Sequence, residues 1–166
     1  AQARGAEILC EVVGYGTNSD AGDLLRPNPK RASACMEMAL GDAGLVAADV
    51  GYVNAHGTGT VANDQTEVGA LRDVFGEDLK GVEMSSTKPI HGHALGAAGA
   101  IEAVVTIEAL RHQMAPPTIN FNEVDPKINL DPVANTARAI ETRAVMSNSL
   151  AFGGVNASLI FARFDG

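Results

Sequence analysis

The feature that most constrains this chain is the alternation of short apolar segments with longer helical ones, separated by glycine-rich or polar residues. We predict strands over residues 7–14, 51–55, 82–86, 144–149 and 156–163, and helices over 31–43, 64–75 and 95–113. Strands that alternate with helices favour an α/β fold. We therefore expect a mostly parallel mixed sheet of about five strands, closed by a terminal antiparallel strand pair.

The sequence also predicts where the first strand ends and where the second helix begins. We expect the first strand to stop at Gly14-Tyr15-Gly16, because glycines commonly end such runs. Asp64 and Glu67 have the three-residue offset of a capping box, with Asp in place of Ser or Thr. We therefore expect this pair to open the second helix.

Composition narrows the class of protein. The chain has 166 residues, the size of one domain, and a formal net charge of −8, which argues against a nucleic-acid surface. Glu102 and Glu108 interrupt the longest apolar stretch, so we expect no membrane span, and the opening AQARGAEIL predicts no secretory signal. Cys10 and Cys35 are too few for a disulfide scaffold. We expect a cytoplasmic protein.

Three predicted strands are each followed by a loop of unusual composition. His56–Thr60 follow the strand 51–55, Thr87–His93 follow 82–86, and Leu150–Gly154 follow 144–149. In open α/β sheets, functional residues collect in loops beyond the carboxyl ends of the strands. We therefore expect these loops to form a common rim that carries the functional site.

The first two loops carry candidate hydrogen-bond donors. His93 precedes a Gly/Ala-rich helix start, whose amides and dipole favour a neutral ring that can donate to an oxyanion. Lys88 could place a fixed positive charge nearby. His56 is either satisfied by neighbouring backbone or placed against a ligand. Thr58 and Thr60 could bond an amide-bearing substrate arm.

The predicted helix 95–113 and the third loop add further candidates. Glu102 falls on the apolar side of that helix and needs a partner, either Lys88 or a contact with another helix or subunit. Phe152 lies on a glycine turn with Gly153 and Gly154. It is either a core residue or a movable gate whose backbone amide donates to an oxyanion.

The histidines also allow a metal site. His91 and His93 form an HxH pair, and His56 could complete a zinc site in a small hydrolase. The two side chains of such a pair often diverge, and the glycines suit close backbone approach better than rigid ligation. We therefore predict no metal here and keep the hydrolase as an alternative.

Taken together, the three loops resemble the C-terminal half of β-ketoacyl-acyl-carrier-protein synthases. The resemblance is closest to the type II elongating enzymes and to their nodulation or polyketide relatives. It covers nearly the whole chain and rests on Val53–Thr60, Ser85–Lys88, Gly92-His93, Leu95–Glu102, Asn148-Ser149, Phe152–Gly154 and Asn156.

The resemblance implies a thiolase-like fold of two related halves, with residues 1–166 as the second. It also implies a decarboxylative Claisen condensation in fatty-acid or related lipid synthesis. His56 and His93 would promote decarboxylation and stabilise the enolate, supported by Lys88 and Glu102. The family needs no cofactor of its own, because its substrates arrive on the phosphopantetheine of acyl carrier protein.

Further roles follow from the same resemblance. Phe152 would gate the acyl pocket, with Gly153 and Gly154 beside the substrate, and Thr58 and Thr60 would meet the phosphopantetheine arm. The implied partners are acyl carrier protein, the N-terminal half and a second copy in a homodimer. A local basic patch of Arg26, Lys30 and Arg31 could help an acidic carrier protein to dock.

The chain departs from the family pattern at several positions. His91 stands where a small residue is usual, and Ala151 replaces a glycine beside the gate. Neither Cys10 nor Cys35 lies at a strand-to-helix turn that would activate a thiolate, and the family's nucleophilic Cys belongs to the first half. We therefore expect the isolated chain to be inactive. A non-catalytic partner subunit, such as a chain-length factor, is the main alternative.

Overall fold

The computed structural model describes residues 1–24 and 26–166 and contains an α/β arrangement. The strands are β1 Glu11–Ser19, β2 Val50–Asn54, β3 Glu83–Ser85, β4 Met114–Ala115, β5 Arg138–Ala139, β6 Ala144–Leu150 and β7 Val155–Ala162. The α-helices are α1 Pro29–Ala43, α2 Val61–Phe75, α3 Lys88–His91 and α4 Ala98–His112. Short 3-10 turns lie at Gln2–Arg4, Ala47–Asp49, Gly76–Gly81 and Leu95–Ala97.

The main sheet has five strands in the order β1-β7-β6-β2-β3. β6, β2 and β3 pair in parallel, whereas β7 pairs antiparallel with both β6 and β1. Four strands therefore run in one direction, and β6 and β7 form the terminal antiparallel pair. The prediction of a mostly parallel mixed sheet is confirmed. The separate two-stranded sheet of β4 and β5 is an addition, since each strand is only two residues long.

Helices cover both faces of this sheet. On one face, α1 and α2 bury residues such as Met36 and Leu71 against Met146. On the other face, Leu110 of α4 packs in a cluster with Val145. Because successive residues of a strand point to opposite faces, Val145 and Met146 belong to different clusters. The sheet is buried on both sides, as is usual where parallel strands alternate with helices.

The expectation that the first strand stops at its glycines is wrong. β1 continues through Gly14 and Gly16 to Ser19. A Cβ at Gly14 would lie 2.3 Å from the carbonyl oxygen of Ala39, and one at Gly16 would lie 2.1 Å from that of Cys35. These glycines let the backbone of α1 rest directly on the strand, so they mark close packing and not an end.

The capping-box prediction for α2 is also wrong. The helix begins at Val61, and Thr60 caps it by accepting a hydrogen bond from the amide of Asn63 at 3.4 Å. Glu67 instead turns its carboxylate back toward the loop that follows β2. A side chain with the spacing of a capping residue is thus used to hold the loop that precedes its own helix.

The helices of the described ranges 1–24 and 26–166 lack the length and apolar character that a membrane crossing requires.

Candidate active site

The three loops predicted to share a rim meet at one edge of the sheet. Since β2, β3 and β6 are parallel, their carboxyl ends lie together. A cleft of about 500 Å³ opens there. Its lining includes six of the predicted residues, which are His56, Thr58, Thr60, His93, Phe152 and Gly154.

His56 and His93 form the centre of this cleft. Their ring centroids are 5.3 Å apart, with the rings nearly perpendicular at 84°. Lys88 Nζ lies 3.3 Å from His56 Nδ1, and the backbone amide of Leu95 donates to His93 Nδ1 at 3.2 Å. Because an ammonium and an amide can only donate, both Nδ1 atoms accept. Each neutral ring therefore carries its proton on Nε2.

The surroundings of His56 keep its ring neutral. Burial lowers the pKa of His56 most, and together with the Lys88 ammonium and the neighbouring His93 ring it brings that pKa to about 3. A ring with this pKa stays uncharged at physiological pH. It can therefore act as a hydrogen-bond donor without the cost of burying a cation.

Lys88 is held behind the histidines by a buried ion pair. Its ammonium contacts the Oε1 atom of Glu102, and the side chains are only 6% and 1% exposed. Of the alternatives left open for Glu102, the structure shows the contact with Lys88. The pair crosses from the start of α3 to the first turns of α4, which fixes the positive charge beside His56 Nδ1.

The loop after β2 is held by a residue that the sequence analysis did not place in the site. Glu67 accepts the amide of His56 at 2.8 Å and the amide of Gly57 at 2.9 Å. The Thr58 and Thr60 hydroxyls lie 3.0 Å apart, and that of Thr60 also caps α2. Thr60 therefore has a structural use besides its predicted role in binding.

Phe152 lies on the turn between β6 and β7, beside the cleft, with 76% of its surface exposed. It is not a core residue in this chain. The amide of Gly153 donates to Leu24 O, and that of Gly154 donates to Ala151 O, both at 3.0 Å. These two amides are thus engaged within the protein, and the place beside the substrate expected for Gly153 and Gly154 stays a prediction.

The alternative of a three-histidine metal site finds no geometric support. His91 Nε2 lies 3.1 Å from the Thr87 hydroxyl, and its Nδ1 lies 2.8 Å from the Gly92 carbonyl oxygen. Residues 1–24 and 26–166 contain no group of three or more His, Cys, Asp or Glu side chains that could hold a metal ion.

Neither cysteine has the surroundings of an activated nucleophile. Burial raises the pKa of both the Cys10 and Cys35 thiols above their usual range. The Cys35 thiol also donates to the carbonyl oxygen of Gly16 at 3.3 Å, inside the packing of α1 on β1. The site thus holds donors and a fixed charge but no thiolate.

Comparison with known families decides what kind of domain this is. The model of the β-ketoacyl synthase C-terminal domain matches residues 9–122. The chain belongs to the β-ketoacyl synthases. The resemblance inferred from its three loops is confirmed by this match.

Similar proteins agree with this assignment. The chain is 46% identical to "3-oxoacyl-(acyl-carrier-protein) synthase 2" of Rhizobium meliloti (strain 1021), over 100% of this chain and 40% of that protein. Among solved structures, the ishigamide ketosynthase/chain length factor has a TM-score of 0.94 at 42% identity, over 99% of this chain and 40% of that one. A type II PKS acyl-carrier protein complexed with its ketosynthase, bound to the hexaketide, has a TM-score of 0.95 at 33% identity, over 99% of this chain and 41% of the neighbour's.

The coverage is as informative as the identity. This β-ketoacyl synthase domain spans about 40% of the length of the relatives that it matches. More than half of each relative therefore has no counterpart in these 166 residues.

Proposed function

We propose that this chain is the C-terminal half of a condensing enzyme that extends acyl groups by decarboxylative Claisen condensation with malonyl-acyl carrier protein. The observation that carries the proposal is the His56–His93 pair, backed by Lys88 and Glu102. Two neutral N–H donors at one cleft suit a reaction in which negative charge develops on a carbonyl oxygen.

Decarboxylation needs such donors. The bond between the malonyl carboxylate and the adjacent carbon breaks, CO₂ leaves, and the electron pair moves into the thioester as an enolate. Hydrogen bonds from His56 Nε2 and His93 Nε2 to the enolate oxygen lower the barrier to this step. The enolate carbon then attacks the acyl thioester, and the cysteine thiolate of the other half leaves.

Lys88 and Glu102 act through His56. The Lys88 ammonium donates to His56 Nδ1, which holds the ring in the tautomer whose Nε2 is the donor. Glu102 in turn holds Lys88. Thr58 and Thr60, at the same cleft, are proposed to meet the phosphopantetheine arm, and Phe152 to gate the acyl pocket with its backbone amide facing an oxyanion.

The missing nucleophile is assigned to an N-terminal half of the same enzyme. α4 supports this, since it is apolar on the side away from the sheet as well. Val104 is 61% exposed there, and Leu95, just before the helix, is 73% exposed. Such surface suits a large protein interface. The isolated chain is therefore proposed to be inactive, and the complete enzyme to be a homodimer that needs no bound cofactor.

Acyl carrier protein is the proposed substrate-bearing partner. A similar ketosynthase is known in complex with an acyl-carrier protein. In this chain Arg26 and Arg31 are exposed, and Lys30 forms an exposed ion pair with Asp73. Pro27, within this basic stretch, lines the cleft. The stretch could therefore attract an acidic partner to the cleft even though the chain carries a net charge of −8.

A chain-length factor is the second candidate, because one structural neighbour is a ketosynthase/chain length factor. The two candidates share the fold and differ in chemistry. The ordered set of His56, Lys88 and His93 favours the condensing enzyme, since a subunit that does not catalyse has no need of two aligned donors.

Decarboxylation of malonyl-acyl carrier protein by the complete two-half enzyme tests the proposal. We expect His56→Ala and His93→Ala each to reduce the rate by at least about 100-fold, the usual contribution of a positioned donor. His112→Ala is the matched control, because that histidine is exposed and pairs with Glu108 on the same helix. Unchanged decarboxylation in both cleft variants would exclude the proposed chemistry.

A further inference from the structure

His91 makes defined hydrogen bonds, although the proposed condensation does not use it. Its Nδ1 atom lies 2.8 Å from the carbonyl oxygen of Gly92, and its Nε2 atom lies 3.1 Å from the hydroxyl oxygen of Thr87. A carbonyl oxygen can only accept, so Nδ1 carries the ring proton and donates it. In the neutral ring Nε2 then accepts a hydrogen bond from the Thr87 hydroxyl. His91 thus joins Thr87, just before α3, to Gly92, just after it.

The Thr87 end of this bridge is held inside the protein. Thr87 is buried, and its hydroxyl oxygen also accepts the side-chain amide of Asn54 at 3.4 Å. Asn54 is buried as well and is the last residue of β2. The same amide group donates to the carbonyl oxygen of Glu102, on α4, at 3.4 Å. The ring of His91 is therefore connected, through Thr87, to the buried carboxyl end of the sheet.

The Gly92 end of the bridge has a backbone conformation that is essentially limited to glycine, with φ +79° and ψ 176°. The amide of Gly92 donates to the carbonyl oxygen of Lys88 at 2.7 Å, but this bond does not fix the rotation about ψ. Because a peptide bond is planar, the direction of the Gly92 carbonyl determines the direction of the His93 amide and the place of its Cα atom. The hydrogen bond from His91 therefore restrains the backbone that carries His93.

His93 is less enclosed than His56, so its backbone matters more. The His56 ring is buried and lies against Lys88, whereas His93 is exposed and its ring accepts the amide of Leu95 at 3.2 Å. Leu95 has a φ of +48°, in the left-handed region that a leucine rarely adopts. Unusual backbone conformations thus lie on both sides of His93. A rotation at Gly92 would move the Nε2 donor of His93 away from an enolate oxygen.

We propose that His91 is a positioning residue, which holds the peptide between Gly92 and His93 and so sets the His93 ring for decarboxylation. It does so by joining the carbonyl oxygen of that peptide to the buried Thr87 hydroxyl. This inference rests on the proposed function and adds a residue to it. Because His91 acts through His93 and not on the substrate, its effect should disappear when the His93 ring is removed.

A double-variant cycle tests this, with decarboxylation of malonyl-acyl carrier protein by the complete enzyme as the readout. We expect His91→Ala to lower kcat about tenfold with KM nearly unchanged, because a misplaced donor stabilises the transition state less. In the His93→Ala background the same substitution should have no further effect. The melting temperature should change by about 2 °C or less. A residue that only stabilised the fold would instead lower the rate and the melting temperature in both backgrounds.

Two further variants at this position isolate the hydrogen bond. His91→Asn keeps an N–H donor close to the place of Nδ1, so we expect its rate to recover to within about threefold of the unaltered enzyme. His91→Phe keeps the bulk of the ring without the donor, so it should be as slow as His91→Ala. It also decides the question if the alanine variant does not fold. His112→Ala, exposed on α4, is the matched control and should change the rate in neither background.

The inference and the proposed function fail in different ways. A full rate in His91→Ala or His91→Phe, or an equal fall in the His93→Ala background, would overturn the inference and leave the proposed function intact. A His91→Asn variant as slow as His91→Ala would overturn it too, since the donor to Gly92 would then not be what His91 supplies. If the unaltered enzyme does not decarboxylate malonyl-acyl carrier protein at all, the proposed function fails and the inference fails with it.

Discussion

The loop after β2 and the turn after β6 follow neighbouring parallel strands, yet they are built in opposite ways. His56 and Gly57 are held by a buried carboxylate and a serine hydroxyl. The turn at Phe152 is exposed, with the amide of Gly153 bonded to Leu24 O in another loop and that of Gly154 bonded to Ala151 O within the turn. The first region is complete within this chain. The second presents an exposed aromatic ring beside the cleft.

Under the proposed function, this difference between the loop and the turn matches two different requirements of the reaction. Stabilising an enolate needs donors fixed before the substrate arrives, since reorganising them during the reaction would cost free energy. Admitting an acyl chain needs a side chain that can move aside. Under the proposed function, the loop after β2 and the exposed turn serve these two needs, and variants in each region can break or sharpen the contrast.

The largest effect is expected from Lys88→Met, which attacks the rigid region. Oε2 of Glu102 has no hydrogen-bond partner in the described part of the chain, so losing Lys88 leaves the whole carboxylate buried and unpaired. Breaking such a pair costs about 3–5 kcal/mol in unfolding free energy. We also expect decarboxylation to fall by at least about 100-fold, because the tautomer of His56 is no longer held. Urea unfolding and malonyl decarboxylation measure the two losses.

The double variant Lys88→Met with Glu102→Met separates stability from chemistry. Replacing a buried ion pair by apolar side chains of similar volume is often neutral or stabilising. Stability should therefore return toward that of the unaltered enzyme while decarboxylation stays low. Recovery of both would mean that the pair serves only the fold.

An intermediate effect is expected from a matched pair of glycines in the same loop. A Cβ at Gly57 would lie 2.5 Å from the Cβ of Ser86, whereas one at Gly59 would meet nothing within 4 Å. Both have positive φ, at +39° and +78°. Gly59→Ala should therefore lower the unfolding free energy by about 1–2 kcal/mol, because it adds only backbone strain. Gly57→Ala should lower it by about 1–3 kcal/mol more, because its Cβ also clashes with Ser86.

The exposed turn contains the equivalent pair, which extends the comparison. A Cβ at Gly154 would lie 2.5 Å from the Cβ of Asp20, and one at Gly153 would meet nothing within 4 Å. Melting temperatures of the four alanine variants should rank both blocked positions below both open ones. If Gly154→Ala lowers the melting temperature no more than Gly153→Ala does, the turn moves to relieve the clash. It is then more easily deformed than the loop after β2.

The contrast also explains what the sequence could predict. His56, Lys88 and His93 were found because each follows a predicted strand, and parallel strands bring their carboxyl ends to one edge. Lys88 could be considered as a partner of Glu102, beside a contact with another helix or subunit, because a carboxylate on the apolar side of a helix needs compensation. These inferences use only strand order, helical period and charge.

The sequence could not predict contacts that depend on how the folded backbone meets a side chain or another backbone. Glu67 has the spacing of a capping residue, and only the folded loop reveals the two amides that take its carboxylate. Gly14 and Gly16 read as an end of β1, although α1 uses them as its contact surface. In both cases the contacts of the folded chain override a local signature.

The smallest effect on stability is expected from Phe152→Ala. With 76% of its surface exposed, Phe152 has few contacts in this chain, so the change should alter unfolding free energy by about 0.5 kcal/mol or less. Condensation should fall about tenfold while malonyl decarboxylation changes little, because the gate acts on acyl entry and not on the enolate. Phe152→Tyr, which keeps the ring, is the control for bulk.

The opposite pattern would redefine the turn. If Phe152→Ala lowers the melting temperature of the complete enzyme by several degrees and slows decarboxylation and condensation alike, the ring is packed against the other half. The exposed turn would then belong to the interface between the two halves. The loop after β2 would hold the reaction site, and the turn would only hold the halves together. Equal loss of both activities, with Phe152→Tyr fully active, would establish this reading because an anchor needs apolar bulk but no motion.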